Sequence, residues 1–223
     1  MRVVTFNVRG FRDGRERVAD VVRGLEPDLL LLQETGRRRA LRRFAASVGM
    51  SVATDPRSPL RRRVKNAVLV RDGTPFVSSR LTRFPGERRW YPRGALAARI
   101  GRPFEVWALS VHLGLVGRER GRQAEVLLET VGSLGAGPIV VGGDLNATPN
   151  MRAPSRVAAT LHDAWAVAGA GSGATFPAMA PSARIDYLFV SEGVDVPSIA
   201  VDARDPTASD HLPVFAELVL PTA

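Results

Sequence analysis

The chain has 223 residues, 45% of them hydrophobic, and contains no cysteine. This composition fits one large globular domain or two small ones, and it excludes disulfide bonds, thiolate metal sites and a cysteine nucleophile. The formal net charge of +9 is carried almost entirely by arginine, because Lys65 is the only lysine. Charge of this sign attracts partners that bear phosphate.

There is no sign of a membrane span or of secretion. No run approaches the roughly 18 apolar residues that a spanning helix needs. The first residues, MetArgValValThrPheAsn, lack the apolar region of a signal peptide. We therefore expect one domain over residues 1–223, in a cytoplasmic protein that is by default a monomer.

Hydrophobic periodicity predicts strands and helices that alternate in the first part of the chain. An alternating strand is predicted over residues 2–8, and a continuously apolar strand, typical of burial on both faces, over residues 28–33. Helices are indicated over residues 15–25, around residues 40–44 and around residues 126–134, with Pro27 ending the first and Gly135 or Gly137 the third. Further strands are predicted over residues 66–71, 95–100, 104–111, 138–142, 185–190 and 214–219.

The order of these elements predicts an α/β fold with mixed sheets. Several strands between residues 66 and 111 follow one another without a helix, which favours antiparallel pairing beside the parallel pairs. We expect two mixed sheets packed face to face with helices outside. Such packing would bring many strand ends to one edge.

Acid, amide and imidazole side chains stand at the ends of the predicted strands. The segments are ThrPheAsnVal at Asn7, LeuLeuGlnGlu at Glu34, SerValHisLeu at His112, GlyGlyAspLeuAsn at Asp144 and Asn146, ArgIleAspTyr at Asp186, and SerAspHisLeuPro at Asp210 and His211. Carboxylate and amide oxygens suit Mg²⁺ or Mn²⁺. A histidine beside an aspartate suits proton transfer. Together they predict a metal-assisted hydrolase of phosphate esters.

Several of these residues also have a purely structural interpretation. Asn7 and Asp144 could form turns, Glu34 could cap the helix that follows it, and His112 could be a core histidine. His162 lies in no such segment and is interpreted as structural.

Two features near these segments favour a functional role. An aspartate inside a strand-like run is disfavoured, so Asp186 is expected to orient a histidine. Gly142 and Gly143 are expected to let the backbone approach a ligand closely.

The arginine clusters are interpreted mainly as solvated surface. The exception is Arg93, which together with Arg88 and Arg89 flanks Trp90 and Tyr91. Arginine and aromatic side chains in such a group can bind phosphate and stack on a ring of the ligand.

Asn66, at the start of a predicted strand, is grouped with Arg93 as a candidate substrate-binding residue. No P-loop is present and no GxSxG elbow surrounds Ser110, so kinase-type nucleotide binding and serine hydrolysis have no support.

Taken together and in this order, the six segments resemble the endonuclease/exonuclease/phosphatase superfamily. The resemblance extends from ThrPheAsnVal to AspHisLeuPro and implies a four-layer α/β sandwich. It also implies Mg²⁺ (or Mn²⁺) as the cofactor, with Glu34 as principal ligand and Asn7 and Asp210 close to the metal.

The same resemblance implies roles for the remaining residues. Asp144 and Asn146 would position the attacking water and the scissile phosphate. Asp186 would hold His211 in its reactive tautomer, and His211 would act as general base or stabilise the transition state. His112 would bind a phosphate oxygen or assist the leaving group. Either Asp144 or His211 could take the proton of the water.

Histidine at position 112 resembles the nuclease, phosphatase and sphingomyelinase branches more than the abasic-site endonucleases, which usually carry tyrosine there. The segment SerGlyAlaThrPheProAla at residues 172–178 resembles small bacterial members. We therefore favour a phosphodiesterase or phosphomonoesterase. A DNA or RNA nuclease is the alternative supported by the arginine excess, and a non-catalytic phosphate- or nucleic-acid-binding module is a third.

Overall fold

The structure, a computed structural model, describes residues 1–54, 63–86 and 91–221. The first strands are β1 (Arg2–Asn7), β2 (Leu29–Gln33), β3 (Met50–Thr54), β4 (Ala67–Arg71), β5 (Phe76–Arg83) and β6 (Gly94–Ile100). The later strands are β7 (Trp107–His112), β8 (Ile139–Asp144), β9 (His162–Asp163), β10 (Asp186–Val190), β11 (Asp195–Val201) and β12 (Val214–Val219). The helices are α1 (Arg15–Leu25), α2 (Arg38–Ser47), α3 (Gly117–Gly132), α4 (Arg152–Ala158) and α5 (Ala164–Ala168).

The strands form two mixed six-stranded sheets. The first has the order β11-β12-β1-β2-β4-β3 and the second β5-β6-β7-β8-β10-β9. Each sheet has one parallel pair at its centre, β1 with β2 and β7 with β8, and the remaining pairs are antiparallel. The predicted four-layer α/β sandwich is therefore confirmed.

Three hydrophobic clusters define the layers. Strand β2 contributes to two of them, because Leu29 and Leu31 face the second sheet while Leu30 and Leu32 face α1 and α2. Helices α3 and α4 cover the outer face of the second sheet. Burial on both faces explains why β2 is apolar at four successive positions.

Most predicted elements agree with the structure to within two residues, and two need correction. The third helix, predicted around residues 126–134, spans Gly117–Gly132, so it begins well before the predicted segment and ends before the predicted breakers Gly135 and Gly137. The strand predicted from residue 104 begins at Trp107, because the amide groups of Phe104 and Glu105 turn back to the carbonyl of Gly101. Sequence reasoning did not identify β3, β5, β9, β11, α4 or α5.

The two glycines of β8 allow a neighbouring strand and the opposite sheet to pack closely against β8. The expectation that these glycines let the backbone approach a ligand is corrected accordingly. A Cβ atom on Gly143 would overlap the backbone of Val111 in the neighbouring strand β7. A Cβ atom on Gly142 would lie 2.6 Å from Leu31 Cδ1 of the opposite sheet and 2.9 Å from Leu188 Cδ2. Glycine is needed here so that β7 and the first sheet can come close to β8.

Candidate functional site

Three predicted site residues form one row across the second sheet. His112 ends β7 and is in register with Asp144, which ends β8 and is in register with Asp186 at the start of β10. Neighbouring strands are roughly 4.8 Å apart, so side chains in one row lie within contact distance. The register of the sheet therefore brings together three residues that are far apart in the sequence.

Asp144 lies at the centre of the site and connects the two sheets. Its Oδ2 accepts a hydrogen bond from Asn7 Nδ2 at 3.0 Å and lies 3.2 Å from His112 Nε2. Its Oδ1 accepts from the backbone N–H of Asn146 at 2.8 Å. Asn7 ends β1 of the first sheet, so this contact crosses the sandwich.

The surroundings keep Asp144 ionised. Burial by itself would raise the pKa of this carboxyl. The charges and hydrogen bonds of His112, His211 and the Asn146 amide together outweigh burial and hold the pKa well below its usual range. Asp144 is therefore a carboxylate throughout the physiological pH range.

A second hydrogen-bonded chain runs from Thr175 through Asp186 to His211. Thr175 Oγ1 donates to Asp186 Oδ2 at 2.6 Å, and His211 Nδ1 lies 2.8 Å from the same oxygen. A carboxylate only accepts, so Nδ1 carries the hydrogen and Nε2 faces Asp144, 3.8 Å from its Oδ2. The ring of Phe176 packs against the imidazole, with 4.9 Å between ring centroids.

The carboxylates around His211 favour its charged form. Burial alone would lower the pKa of His211. The charge and hydrogen bond of Asp186, with the charges of Asp144 and Asp210, raise it to about 10. The imidazolium form of His211 is therefore stabilised by the neighbouring buried side chains of Asp186 and Asp144.

Asn146 lies close to His112 although its backbone has left the strand conformation. Its φ is 49°, in the left-handed region, and its amide completes an Asx-type turn with Asp144. Its Nδ2 donates to Leu113 O at 3.1 Å and lies 3.1 Å from His112 Nε2. The turn that we weighed as an alternative is thus present, and it directs the amide group to His112.

Glu34 and Arg93 lie at the rim of this centre. Glu34 follows β2 with φ 52°, a strained conformation for a residue other than glycine, and its side chain is 39% exposed. Arg93 Nη1 lies 3.7 Å from Glu34 Oε1 and 2.7 Å from His112 Nδ1. The neighbours Arg88, Arg89 and Trp90 lie outside the described residues.

Asn66 and Asp210 complete the set of predicted residues. Asn66 is buried, and its Nδ2 donates to the carbonyls of Gly94 and Ser110 at 2.8 and 2.9 Å. A contact between Asn66 and substrate would therefore use its Oδ1. Asp210 Oδ2 forms an ion pair with Arg9 Nε at 3.2 Å, and its side chain is 35% exposed.

The donor set fits a divalent cation. Asp144, Asp186 and His211 have ligand atoms that all lie within 4.8 Å of one another, the one such group among the residues that the structure describes. Asp186 Oδ1 is buried without a hydrogen-bond partner, so it has an unused lone pair. Glu34 and Asp210 add half-buried carboxylates of the hard type that Mg²⁺ and Mn²⁺ prefer.

Sequence reasoning missed three residues that support the site. Thr175 contacts Asp186, Ser209 Oγ donates to the carbonyl of Asn7 at 2.7 Å, and Arg9 pairs with Asp210. Ser209 is the first residue of the quoted segment SerAspHisLeuPro, and Arg9 directly follows ThrPheAsnVal, so both could have been found by their position. Thr175 lies in the quoted segment SerGlyAlaThrPheProAla, 11 positions before its partner, but no local pattern indicates their contact.

A family model and a curated relative both match this chain. The family model described as "Endonuclease/Exonuclease/phosphatase family" matches residues 4–211. The uncharacterized protein YbhP of Escherichia coli strain K12 is 32% identical over 161 residues, which are 70% of this chain and 62% of YbhP. The chain thus matches about three fifths of the length of this curated relative.

Solved structures share the fold. Mannosyl-6-phosphatase Bt3783 of Bacteroides thetaiotaomicron is similar with a TM-score of 0.86 and 21% identity, covering 98% of this chain and 99% of Bt3783. D. rerio TDP2 complexed with a single-strand DNA product is similar with a TM-score of 0.79 and 17% identity, covering 98% of each chain. Because the family model spans nearly all of the sequence, this chain belongs to the endonuclease/exonuclease/phosphatase family.

Proposed function

We propose that the protein is a Mg²⁺- or Mn²⁺-dependent phosphoester hydrolase acting on phosphodiesters or phosphomonoesters. The observation that carries the proposal is the position of His211 between the buried carboxylates Asp186 and Asp144. The Nε2 atom of His211 faces the carboxylate of Asp144, beside which a water molecule could bind. Membership of the family, which includes phosphatases and nucleases, supports the same reaction class.

In the proposed reaction a water oxygen attacks phosphorus and the bond between phosphorus and the ester oxygen breaks. The water proton passes to Asp144 or, when the His211 ring is neutral, to His211 Nε2. The leaving oxygen takes up a proton from the imidazolium form of His211 or from water. Asn146 and His112 orient the phosphate oxygens, and Asp186 fixes the His211 ring. Phosphate esters hydrolyse very slowly without such help.

We propose that Glu34, Asn7 and Asp210 hold the metal, with the group of Asp144, Asp186 and His211 as the alternative site. A bound divalent cation would offset the negative charge of the phosphate and acidify a bound water. Arg93, at the rim beside His112, would contribute a fixed positive charge toward the substrate.

A nuclease of the same family is the second candidate, favoured by the charge around the site. A small cavity of about 70 Å³ beside His112 is lined by five cationic side chains: Arg9, Arg12, Arg63, Lys65 and Arg93. A strand of nucleic acid has phosphates that such a surface would bind. TDP2, a structural relative, is described with a single-strand DNA product.

The test is Mg²⁺-dependent hydrolysis of four substrates: plasmid DNA, single-stranded RNA, bis-p-nitrophenyl phosphate and p-nitrophenyl phosphate. His211→Gln should lower kcat by roughly 10²–10⁴-fold, the usual contribution of a positioned acid or base. His162→Gln is the matched control, because His162 is exposed in β9. Thermal melting of both variants checks that they fold.

Each result selects one candidate. Hydrolysis of the small esters alone supports the phosphatase or phosphodiesterase. Cleavage of DNA or RNA that is lost in His211→Gln supports the nuclease, whose nucleic-acid affinity should also fall steeply with salt. Equal turnover by wild type and His211→Gln would refute the proposed mechanism. Binding of nucleic acid without cleavage of any substrate would favour the non-catalytic module.

A further inference from the structure

A cavity lined by more apolar than polar residues lies beside the row formed by His112, Asp144 and Asp186, with which it shares the neighbouring residue Arg93. It has a volume of about 410 Å³, and its charged lining residues are Glu34, Arg93 and Glu119. Its apolar wall residues are Phe84 and Pro85, which follow β5, Tyr91, which lies shortly before β6, and Leu115 and Val116, which follow β7. Neither the proposed metal ligands other than Glu34 nor the proposed catalytic residues line it.

Three apolar side chains of this cavity are exposed, whereas Phe84 is buried. Tyr91 is 60% exposed, Leu115 57% and Val116 44%, and these are three of the eight large hydrophobic side chains that are exposed in the described part of the chain. Clustered apolar exposure beside a functional centre is characteristic of ligand-binding surfaces. The cavity therefore has the character of a site for an apolar ligand group.

Buried and half-buried side chains of α3 hold the two walls in place. Gln123 is buried; its Oε1 accepts from Gly114 N at 2.7 Å and its Nε2 donates to Pro85 O at 2.8 Å. Arg120 Nη1 donates to the carbonyl of Leu115 at 2.5 Å. Walls fixed in this way do not have to be ordered by the ligand, which favours binding.

Arg93 links the cavity to the phosphate site. It lines the apolar cavity, and its guanidinium also lies 2.7 Å from His112 Nδ1. A ligand with its phosphate at Arg93 and His112 would thus place a substituent of that phosphate against Leu115 and Val116. An aromatic substituent would in addition lie beside the exposed ring of Tyr91.

We infer that this cavity is a specificity pocket that takes an apolar or aromatic substituent of the phosphate ester substrate. The inference rests on the proposed function for the identity of the anionic group. It predicts a preference for esters of aryl or other bulky apolar alcohols over esters of small polar ones.

The experiment measures binding of two phosphonates, whose C–P bond the proposed reaction does not break. Calorimetry in the presence of Mg²⁺ compares methylphosphonate with 1-naphthylmethylphosphonate. The wild-type protein should bind the naphthyl compound at least roughly tenfold more tightly, as expected for covering an aromatic ring with apolar side chains.

The double variant Leu115→Ser/Val116→Ser should reduce this preference by roughly three- to tenfold. Val116 is the N-cap residue of α3, where serine is favourable, so the variant is expected to fold. The matched control is Val77→Ser/Val167→Ser, which changes two exposed apolar residues outside the cavity and should keep the wild-type preference.

Equal binding of the two phosphonates by the wild type would overturn the inference, as would an equal loss of preference in the control. The outcome is separate from that of the proposed function. Ester hydrolysis without a binding preference would retain the hydrolase and reject the pocket. A preference that depends on Leu115 and Val116, without hydrolysis of any ester, would retain the pocket and reject the hydrolase.

Discussion

Replacing Gly143 by alanine should separate β7 from β8 and disturb the row of site residues. The added Cβ would overlap the carbonyl oxygen of Val111 and lie 2.7 Å from its carbonyl carbon and 3.0 Å from its nitrogen. Nonbonded carbon atoms prefer about 3.5–4.0 Å, so the backbones would have to move apart by about 1 Å. No side-chain rotation relieves this contact, because the atoms belong to the main chain.

The loss of unfolding free energy in Gly143→Ala follows from the contacts that would be weakened. Separation weakens several β7–β8 hydrogen bonds, each with a net contribution of about 1 kcal/mol, and overpacking adds about 1–3 kcal/mol. We expect Gly143→Ala to lower the free energy of unfolding by at least about 3 kcal/mol. Activity should also fall, because Val111 precedes His112 and Gly143 precedes Asp144 in the paired strands.

Two other glycines provide controls for urea unfolding followed by circular dichroism. Gly142→Ala meets the flexible ends of Leu31 and Leu188 and, at 3.1 Å, the Cβ atom of Thr5, but no backbone atom among its three nearest contacts, so its cost should stay within about 1–3 kcal/mol. Gly132, the last residue of α3, has nothing within 4 Å of an added Cβ, and Gly132→Ala should stabilise by up to about 1 kcal/mol. A Gly143→Ala variant as stable as Gly142→Ala would refute the argument from backbone overlap.

Three further predictions concern single side chains. Thr175→Val removes the hydrogen bond to Asp186 and should lower kcat more than it raises KM, whereas Thr175→Ser, which keeps the hydroxyl, should restore kcat. Glu34→Gln should raise the Mg²⁺ concentration for half-maximal activity at least roughly tenfold, measured by metal titration; an unchanged titration would exclude Glu34 as a ligand. The pKa of Asp202 is lowered because hydrogen bonds from Arg204 outweigh the effect of burial. The ionised Asp202 therefore stabilises the folded state above the unfolded-state pKa of about 3.9. This contribution is lost as the pH falls through the lower folded-state pKa. Asp202→Asn should therefore be less stable than wild type at pH 7, and this difference should shrink in melts below pH 4.

The sequence predicted the elements whose periodicity is set by burial. Helix α1 has the predicted bounds because Val18, Val22 and Leu25 lie on one buried face, and because Glu26, in the left-handed conformation, and Pro27 follow its end. Strand β5 escaped prediction because it is mostly exposed and its sequence, PheValSerSerArgLeuThrArg, does not alternate in polarity. Strand β11 also escaped prediction, because it contains Pro197, a residue that argues against a central strand. The strand lies at the edge of its sheet, where proline is tolerated.

The order of the polar segments predicted that they would meet, but their partners depend on sheet order. Asp144 pairs with Asp186 because β10 lies beside β8, which no local pattern indicates. The Asn7–Asp144 hydrogen bond depends on how the two sheets are stacked. Gly142 and Gly143 were misinterpreted for the same reason, since the atoms that require them belong to other strands.

The hydrogen bonds of the site also bear on how the protein folds. Asn7 and Asp144 are separated by 137 positions, and Ser209 and Asn7 by 202. Contacts between such distant segments form slowly because the intervening loop must first be closed. The site can be complete only after both sheets have formed and docked. The return of activity during refolding should therefore follow the docking of the two sheets and lag behind the recovery of secondary structure.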